Sequence, residues 1–359
     1  MKIAILGAGN LGLAQAAHLS SLGHDICIWN RTAARIDEIL ARGGIEVHGV
    51  FEGLFPVAVA SDDLAEVLIG AEAVILTVPA SSHVAVTAAA APYLADGMVY
   101  VLHPGHTFGA IACHHRLVAM GHRLDLTFCE VQTSLFTCRR TGPAQVHVSA
   151  VKKALPIAVF PAERGFDALG FLFEAHPDLV RARDTLQTSL DNLNASVHPA
   201  VVLANMARID RGEAFLFYWD GVSPAVARLI AAVDAERYAI GEALDIDVMT
   251  LEEFYESAYE AQGALLHDKM LNCAPYAEIH APKTLDTRLV FEDLLTGLVP
   301  YASLGRAVGV LTPACDALIS LWSIVLERDF RVGARTLESM DLAHLDAEGL
   351  RRFVWTGLR

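Results

Sequence analysis

MKIAILGAGNLGLAQAAHLSSLG, residues 1–23, decides how the rest of the chain is read. KIAIL is an unbroken apolar run, short enough for a strand buried on both faces of a parallel sheet. Gly7, Gly9 and Gly12 follow in G-x-G-x-x-G spacing, and LGLAQAAHLSSLG then has helical period, with Gly23 to close it. Each glycine has its own task in such a turn. Gly7 admits the tight bend, Gly9 lets the backbone approach a pyrophosphate, and Gly12 lets helix pack close to strand. The helix start offers free N–H groups and the positive end of its dipole to phosphate oxygens. A second strand, HDICIWN, comes at the distance a βαβ unit requires. The stretch predicts a Rossmann-type dinucleotide site lined by Gly7, Gly9, Asn10, Leu11 and Gly12.

The end of that second strand bears on which dinucleotide. A ribose bearing a free 2′-hydroxyl is met by a carboxylate at this position. Here the chain reads Trp29-Asn30-Arg31-Thr32, with Arg35 one helical turn further on. No carboxylate stands there to repel a 2′-phosphate, and Arg31 offers a planar cation that suits one. Asn30 and Thr32 add neutral hydrogen-bonding groups or, alternatively, cap the helix TAARIDEILARG. NADP(H) is expected over NAD(H), which stays as the alternative. AEAVILTVPASSH repeats the strand-then-loop form, so Val78 and Pro79 are expected at the cofactor crevice.

The remaining composition narrows the class. The chain has 359 residues, enough for two domains of ordinary size. A net charge of −15 with no cluster of basic residues disfavours nucleic acid and anionic membranes as partners. No apolar run is long and charge-free enough to span a bilayer, and the N-terminus enters a strand directly, so a cytoplasmic protein is expected. Six cysteines without a C-x-x-C pair fit a reducing compartment. His103, His106, His114 and His115 lack the spacing of a metal site and read as surface or loop histidines, so no metal is expected.

Residues 1–186 alternate strand-like and helical runs, whereas 187–359 read almost wholly as helix. The expectation is an α/β dinucleotide-binding domain followed by an all-α domain that supplies substrate binding and proton transfer. Two stretches of the second half qualify. DNLNASVHPAVVLAN, 191–205, carries Asn194 and His198 four apart, then Pro199. Proline disfavours α conformation in the residue before it, which places His198 at a kink or a helix start. LDTRLVFEDLLTGLVPYASLG, 285–305, carries Asp286, Arg288, Glu292 and Asp293 among apolar residues. Arg288 and Asp293 are five apart and share no face of an unbroken helix, so an irregular segment is expected there; the set reads as a surface ion pair or, given its apolar setting, as a desolvated Arg–carboxylate set, which is the reading favoured. Tyr255 and Tyr259, at helical spacing, read as packing.

These stretches carry a resemblance. GAGNLG, SLFTCR at 134–139, TSLDNLNASVHP at 188–199 and TRLVFEDLLTGLVPYASLGRAVGVLTP at 287–313 are similar to the opine dehydrogenases, the NAD/NADP octopine–nopaline dehydrogenase family, over nearly the whole chain. That family joins an L-amino acid to a 2-keto acid such as pyruvate and reduces the product to a secondary amine dicarboxylate. The resemblance implies a catalytic pair at His198 and Asp293 and a substrate-binding arginine at Arg288. Asn194 is implied as a substrate contact or a partner of His198, and Cys138 as lining of the amino-acid pocket or an inert buried thiol. The family's close NAD users carry Asp where this chain has Asn30, so the cofactor does not transfer from them. Two other readings are open: a reductase of a free keto acid, ketopantoate-reductase-like, and a non-catalytic NADPH-binding sensor. The first would need a lysine on the central helix, and none lies in 191–205; a sensor needs no proton-transfer pair. A homodimer is expected by analogy with such folds.

Overall fold

The computed structural model describes residues 1–358 and divides into two units. One consists of Met1–Gly105, Gly109–Thr188 and Val354–Gly357; the other of His106–Phe108 and Ser189–Phe353, with Leu358. The main division falls at Thr188/Ser189. The segments His106–Phe108 and Val354–Gly357 each belong to the unit opposite to their neighbours in sequence.

The first unit holds twelve strands: β1 Lys2–Leu6, β2 Asp25–Trp29, β3 Ile45–Gly49, β4 Gly53–Phe55, β5 Val59–Ser61, β6 Ala73–Leu76, β7 Val99–Leu102, β8 Thr127–Val131, β9 Phe136–Gly142, β10 Gln145–Val151, β11 Pro156–Phe160 and β12 Val180–Arg181. Eight form one sheet in the order β12-β11-β8-β7-β6-β1-β2-β5. All its pairings are parallel except β8 with β11. Strand order reverses beside β1, with β2 on one side and β6 on the other, which makes the carboxyl end of β1 the switch point where such sheets bind ligands. The apolar runs are continuous because these strands are covered on both faces: all of Ile3–Leu6, Ala73–Leu76 and Val99–Leu102 are buried.

A second sheet, β4-β3-β10-β9, covers the helix Asn10–Ser21 from the side away from β1. Leu13, Ala14, Ala16 and Ala17 of that helix share one apolar cluster with Ile3 and Ile5 of β1 and with Val47, Val146, Val148 and Phe136 of the smaller sheet. Gly12 through Ala17 and Leu19 of the helix are accordingly all buried.

The second unit is helical. Its longest elements are Pro224–Ala243, Pro313–Val325, Asn194–Ala204 and Val299–Val308. Among the described residues its only β pairing is the isolated bridge Leu216–His280. Tyr255 and Tyr259 lie on the helix Leu251–Tyr259, which ends where Glu260 takes a left-handed φ of 54°. Arg237, fully buried, donates through Nε to Asp234 Oδ1 at 2.9 Å and through Nη1 to the Leu190 carbonyl at 2.8 Å. This cation ties Pro224–Ala243 to the chain just before the helix Asn194–Ala204. No helix of the described residues is long and apolar enough to cross a membrane.

Candidate functional site

In the first unit the glycine turn has the geometry its spacing implied. Gly7 has a φ of 127°, open to glycine but strained for any L side chain, and its N–H donates to the Trp29 carbonyl at 2.8 Å. A Cβ on Gly12 would lie 1.7 Å from the Gly7 carbonyl oxygen, so only glycine lets the helix sit this close to β1. A Cβ on Gly9 would meet nothing within 4 Å. The space over Gly9 is open, next to the free N–H groups of a twelve-residue helix, and fits a pyrophosphate. Asn10 and Leu11 open that helix, while Val78 and Pro79 follow β6 after Thr77.

Asn30 does not cap the helix. Its Oδ1 accepts the Ala8 N–H at 3.1 Å and its Nδ2 donates to the Thr32 carbonyl at 3.2 Å, which ties the end of β2 to the glycine turn. Thr32 takes the N-cap position of the helix Ala33–Arg42 without a side-chain cap bond, contrary to the capping reading. Arg31 is exposed and Arg35 half-buried, and neither forms an ion pair among the described residues. Sequence reasoning overlooked Arg140. Its backbone N–H donates to Asn10 Oδ1 at 3.1 Å and its guanidinium pairs with Glu38 at 2.6 Å, beside the glycine turn. No local pattern marks it; strand pairing alone delivers it there.

In the second unit His198 and Asp293, 95 residues apart in sequence, meet through Nδ1 and Oδ2 at 2.7 Å. Asp293 is buried and the His198 side chain retains 12% exposure. The expected break at Pro199 does not occur. The helix runs from Asn194 to Ala204 with Pro199 inside it. Proline has no N–H to give the Ala195 carbonyl, yet the segment stays helical across it; the Pro199 carbonyl accepts from the fully buried Trp322 indole, Nε1 to O 3.1 Å, which ties this helix to Pro313–Val325. Asn194 and His198 consequently share a face one turn apart, and Asn194 is exposed.

The irregularity expected between Arg288 and Asp293 lies after them. Arg288–Asp293 is an unbroken helix, followed by a π-turn over Leu294–Leu298 in which Thr296 leaves helical geometry. The expected desolvation of Arg288 is also corrected. Its side chain is 70% exposed and lies 3.5 Å from Glu292 Oε2, while Glu292 and Asp293 are the buried members. Five residues along an α-helix turn two side chains well apart, so one meets solvent when the other meets the core.

The π-turn packs closely on the helix that carries His198. A Cβ on Gly297 would fall 2.3 Å from the Ala195 Cβ, so glycine permits the segment after Asp293 to touch the helix that carries His198. The carbonyls freed by the turn are satisfied from outside it. The Thr296 carbonyl accepts from Asn192 Nδ2 and the Thr107 N–H, both at 3.1 Å, and the Leu295 carbonyl accepts from the Arg335 N–H at 3.0 Å.

Two residues here escaped the sequence reading. Tyr218 places its hydroxyl 3.0 Å from His198 Nε2, inside an aromatic group with Phe217, Tyr276, Tyr255 and Tyr259. The aromatic run FLFYWD was the available signal. Tyr255 and Tyr259 do pack, with centroids 6.2 Å apart. His106 is not the surface histidine expected. It is 8% exposed, has a left-handed φ of 57°, and its Nδ1 has no hydrogen-bond partner among the described residues. Burial holds its imidazole below the usual range, against the opposing charges of Glu292 and Asp293. His103 is buried too, accepts the Leu135 N–H at 2.9 Å, and is pushed down to about 3 by burial. A buried imidazole escapes local pattern because its neighbours come from distant segments. Cys138 lies on β9, half-buried, with its thiol pushed up to about 11 by burial. Among the described residues no group of three or more His, Cys, Asp or Glu side chains is placed to hold a metal ion.

Known proteins share both halves. Residues 2–112 match the NAD binding domain of 6-phosphogluconate dehydrogenase, and residues 181–326 match the family described as NAD/NADP octopine/nopaline dehydrogenase, alpha-helical domain. An opine dehydrogenase of Arthrobacter sp. (strain 1C) is 38% identical over 98% of both chains. Among solved structures, octopine dehydrogenase with NADH and L-arginine superposes with a TM-score of 0.82 at 20% identity, covering 100% of this chain and 98% of that one. Yersinopine dehydrogenase with NADP+ bound gives 0.76 at 17% identity, covering 100% and 99%. These structural likenesses show the fold: a Rossmann-type α/β domain followed by a helical one.

Proposed function

This chain belongs to the opine dehydrogenase family, an NAD(P)-dependent oxidoreductase, and from that premise we propose that it condenses an L-amino acid with a 2-keto acid, pyruvate being the simplest candidate, and reduces the imine to an N-(carboxyalkyl) amino acid. The observation that carries the reading is the His198–Asp293 pair, a buried carboxylate 2.7 Å from an imidazole that keeps some exposure.

Each group has a role that its chemistry supports. Arg288, exposed and only loosely engaged by Glu292, takes the keto-acid carboxylate in a two-pronged grip. His198 in its charged form hydrogen-bonds the keto oxygen, withdraws electrons from the carbon that the amine attacks, and gives up its proton as that oxygen leaves as water. Asp293 accepts from Nδ1, holds the ring, and stabilises its positive charge. Asn194, exposed one turn before His198, binds a polar atom of the substrate. The bound cofactor supplies the hydride that reduces the imine. Gly7, Gly9, Asn10, Leu11, Gly12, Val78 and Pro79 form its cradle, while Arg31 and Arg35, with Asn30 and Thr32, favour NADPH because two unpaired cations stand where a ribose carboxylate partner would be.

Purified protein with pyruvate, NADPH or NADH, and a panel of L-amino acids tests the reading. Cofactor oxidation should require both organic substrates. Turnover with the keto acid alone would point instead to a free keto-acid reductase, and cofactor binding without turnover of any pair to a sensor.

A further inference from the structure

We propose that Tyr218 is a positioning residue for His198, fixing through its hydroxyl the direction of the imidazole and the state of Nε2. The inference rests on the reaction proposed above for its kinetic consequence, but not for its geometry.

The Asp293 carboxylate can only accept, so the nitrogen 2.7 Å from it, Nδ1, carries hydrogen whether the ring is neutral or charged. In the neutral ring Nε2 is then a bare acceptor, and the Tyr218 hydroxyl 3.0 Å away donates to it. In the charged ring Nε2 carries hydrogen, and the same oxygen accepts. A phenol serves both states by turning its proton; a phenolate would serve only the second. Burial pushes the Tyr218 hydroxyl well above its usual range, and the neighbouring Tyr259, Asp293 and Cys273 push the same way, so it stays protonated.

The tyrosine is itself held rigidly. Its ring stacks on Tyr276 at 4.1 Å and 20°, and meets Phe217 edge-on at 4.9 Å and 88°. Its segment is pinned by the Phe217 N–H on the Ile279 carbonyl at 2.6 Å, by the Leu216 N–H on Asp220 Oδ2 at 2.8 Å, and by the Val222 N–H on the Tyr218 carbonyl at 3.1 Å. The imidazole is therefore gripped at both nitrogens from two separate elements, the helix Arg288–Asp293 and the segment around Tyr218. With Asp293 alone, only Nδ1 would be held and small χ1 and χ2 excursions would still move Nε2. The second grip removes that freedom before substrate arrives, and a keto oxygen then shares the single Nε2 hydrogen with the Tyr218 oxygen in a three-centre bond.

Tyr218→Phe keeps the ring and its stacking and removes only the oxygen. The chain has 15 histidines, so 15N-histidine spectra of the substrate-free protein are assigned to residue 198 by comparison with His198→Ala. In the wild type the Nε2 resonance should be that of a hydrogen-bonded nitrogen; a free imidazole nitrogen there overturns the proposal, whatever the variant does. Tyr218→Phe should move that resonance and leave Nδ1 in place. In steady state, kcat should fall roughly 10- to 100-fold, the scale of one hydrogen bond to a charged group, with KM for both organic substrates within about twofold. Tyr276→Phe, which keeps the stack but has no bond to His198, should retain wild-type kcat. A Tyr218→Phe enzyme with wild-type kcat, or with loss confined to KM, refutes the positioning role. If the wild type turns over no substrate pair, the reaction fails while the spectra still decide the geometry.

Discussion

The glycine turn of the first unit and the His–Asp pair of the second are both held by close approach, but at different ranges. At the turn, Gly12 approaches Gly7, five residues away, and a Cβ there would fall 1.7 Å from a backbone oxygen. At the pair, Gly297 approaches Ala195 across about a hundred residues, and a Cβ would fall 2.3 Å from a side-chain carbon. A short-range constraint leaves a motif, whereas a long-range one leaves an ordinary-looking glycine in LLTGL. The same contrast holds for polar groups. The turn binds through backbone N–H groups that any sequence of suitable spacing presents, while the pair depends on two particular side chains.

Substitutions can break this comparison at either end. The largest effect is expected at Gly12→Ala. A backbone oxygen cannot yield to a Cβ, so dinucleotide binding, followed by calorimetry, should be lost altogether. Gly9→Ala, with open space around the new Cβ, should leave the melting temperature near wild type and weaken only the cofactor; a large fall in stability would refute the distinction. Next comes His198→Ala, which should lower kcat/KM roughly 100- to 10,000-fold while the dissociation constant for NADPH stays within about twofold. Retained turnover would remove His198 from the chemistry.

Gly297→Ala should act more mildly than Gly12→Ala, because side chains can shift where a backbone cannot. Overpacking of about 1–3 kcal/mol is expected in denaturant unfolding, with kcat reduced as Asp293 is pushed from His198. An unchanged midpoint would show that the π-turn accommodates the methyl. The smallest effect is expected at Arg31→Ala, roughly a tenfold loss of NADPH affinity with NADH little changed. Equal losses for both cofactors would sink the NADPH assignment.

Much of this was legible in residue order because it rests on local spacing. The β1–turn–helix unit and the strands after it follow from apolar runs and glycine positions. What escaped was set elsewhere. Pro199 argued for a break beside His198, yet the helix continues through it, packed against Trp322, 123 residues on, whose indole donates to the Pro199 carbonyl. The π-turn after Asp293 has no local signature, since its freed carbonyls are met by Asn192, Thr107 and Arg335. His106 looked like a loop histidine because its neighbours Glu292 and Asp293 are remote in sequence. The expectation that Arg288 would be buried with its carboxylates took an apolar neighbourhood in sequence for one in space.

By itself the sequence determined the two-part architecture, the glycine turn and the identity of the side chains that could carry proton transfer, because periodicity, φ freedom and chemical type belong to residues and their near neighbours. The tertiary structure alone decided that His198 and Asp293 meet, that Tyr218 completes the grip on the imidazole, and that Arg288 faces solvent. Contacts across tens to hundreds of residues depend on how helices pack, and packing is settled by the summed burial of many side chains rather than by any one stretch.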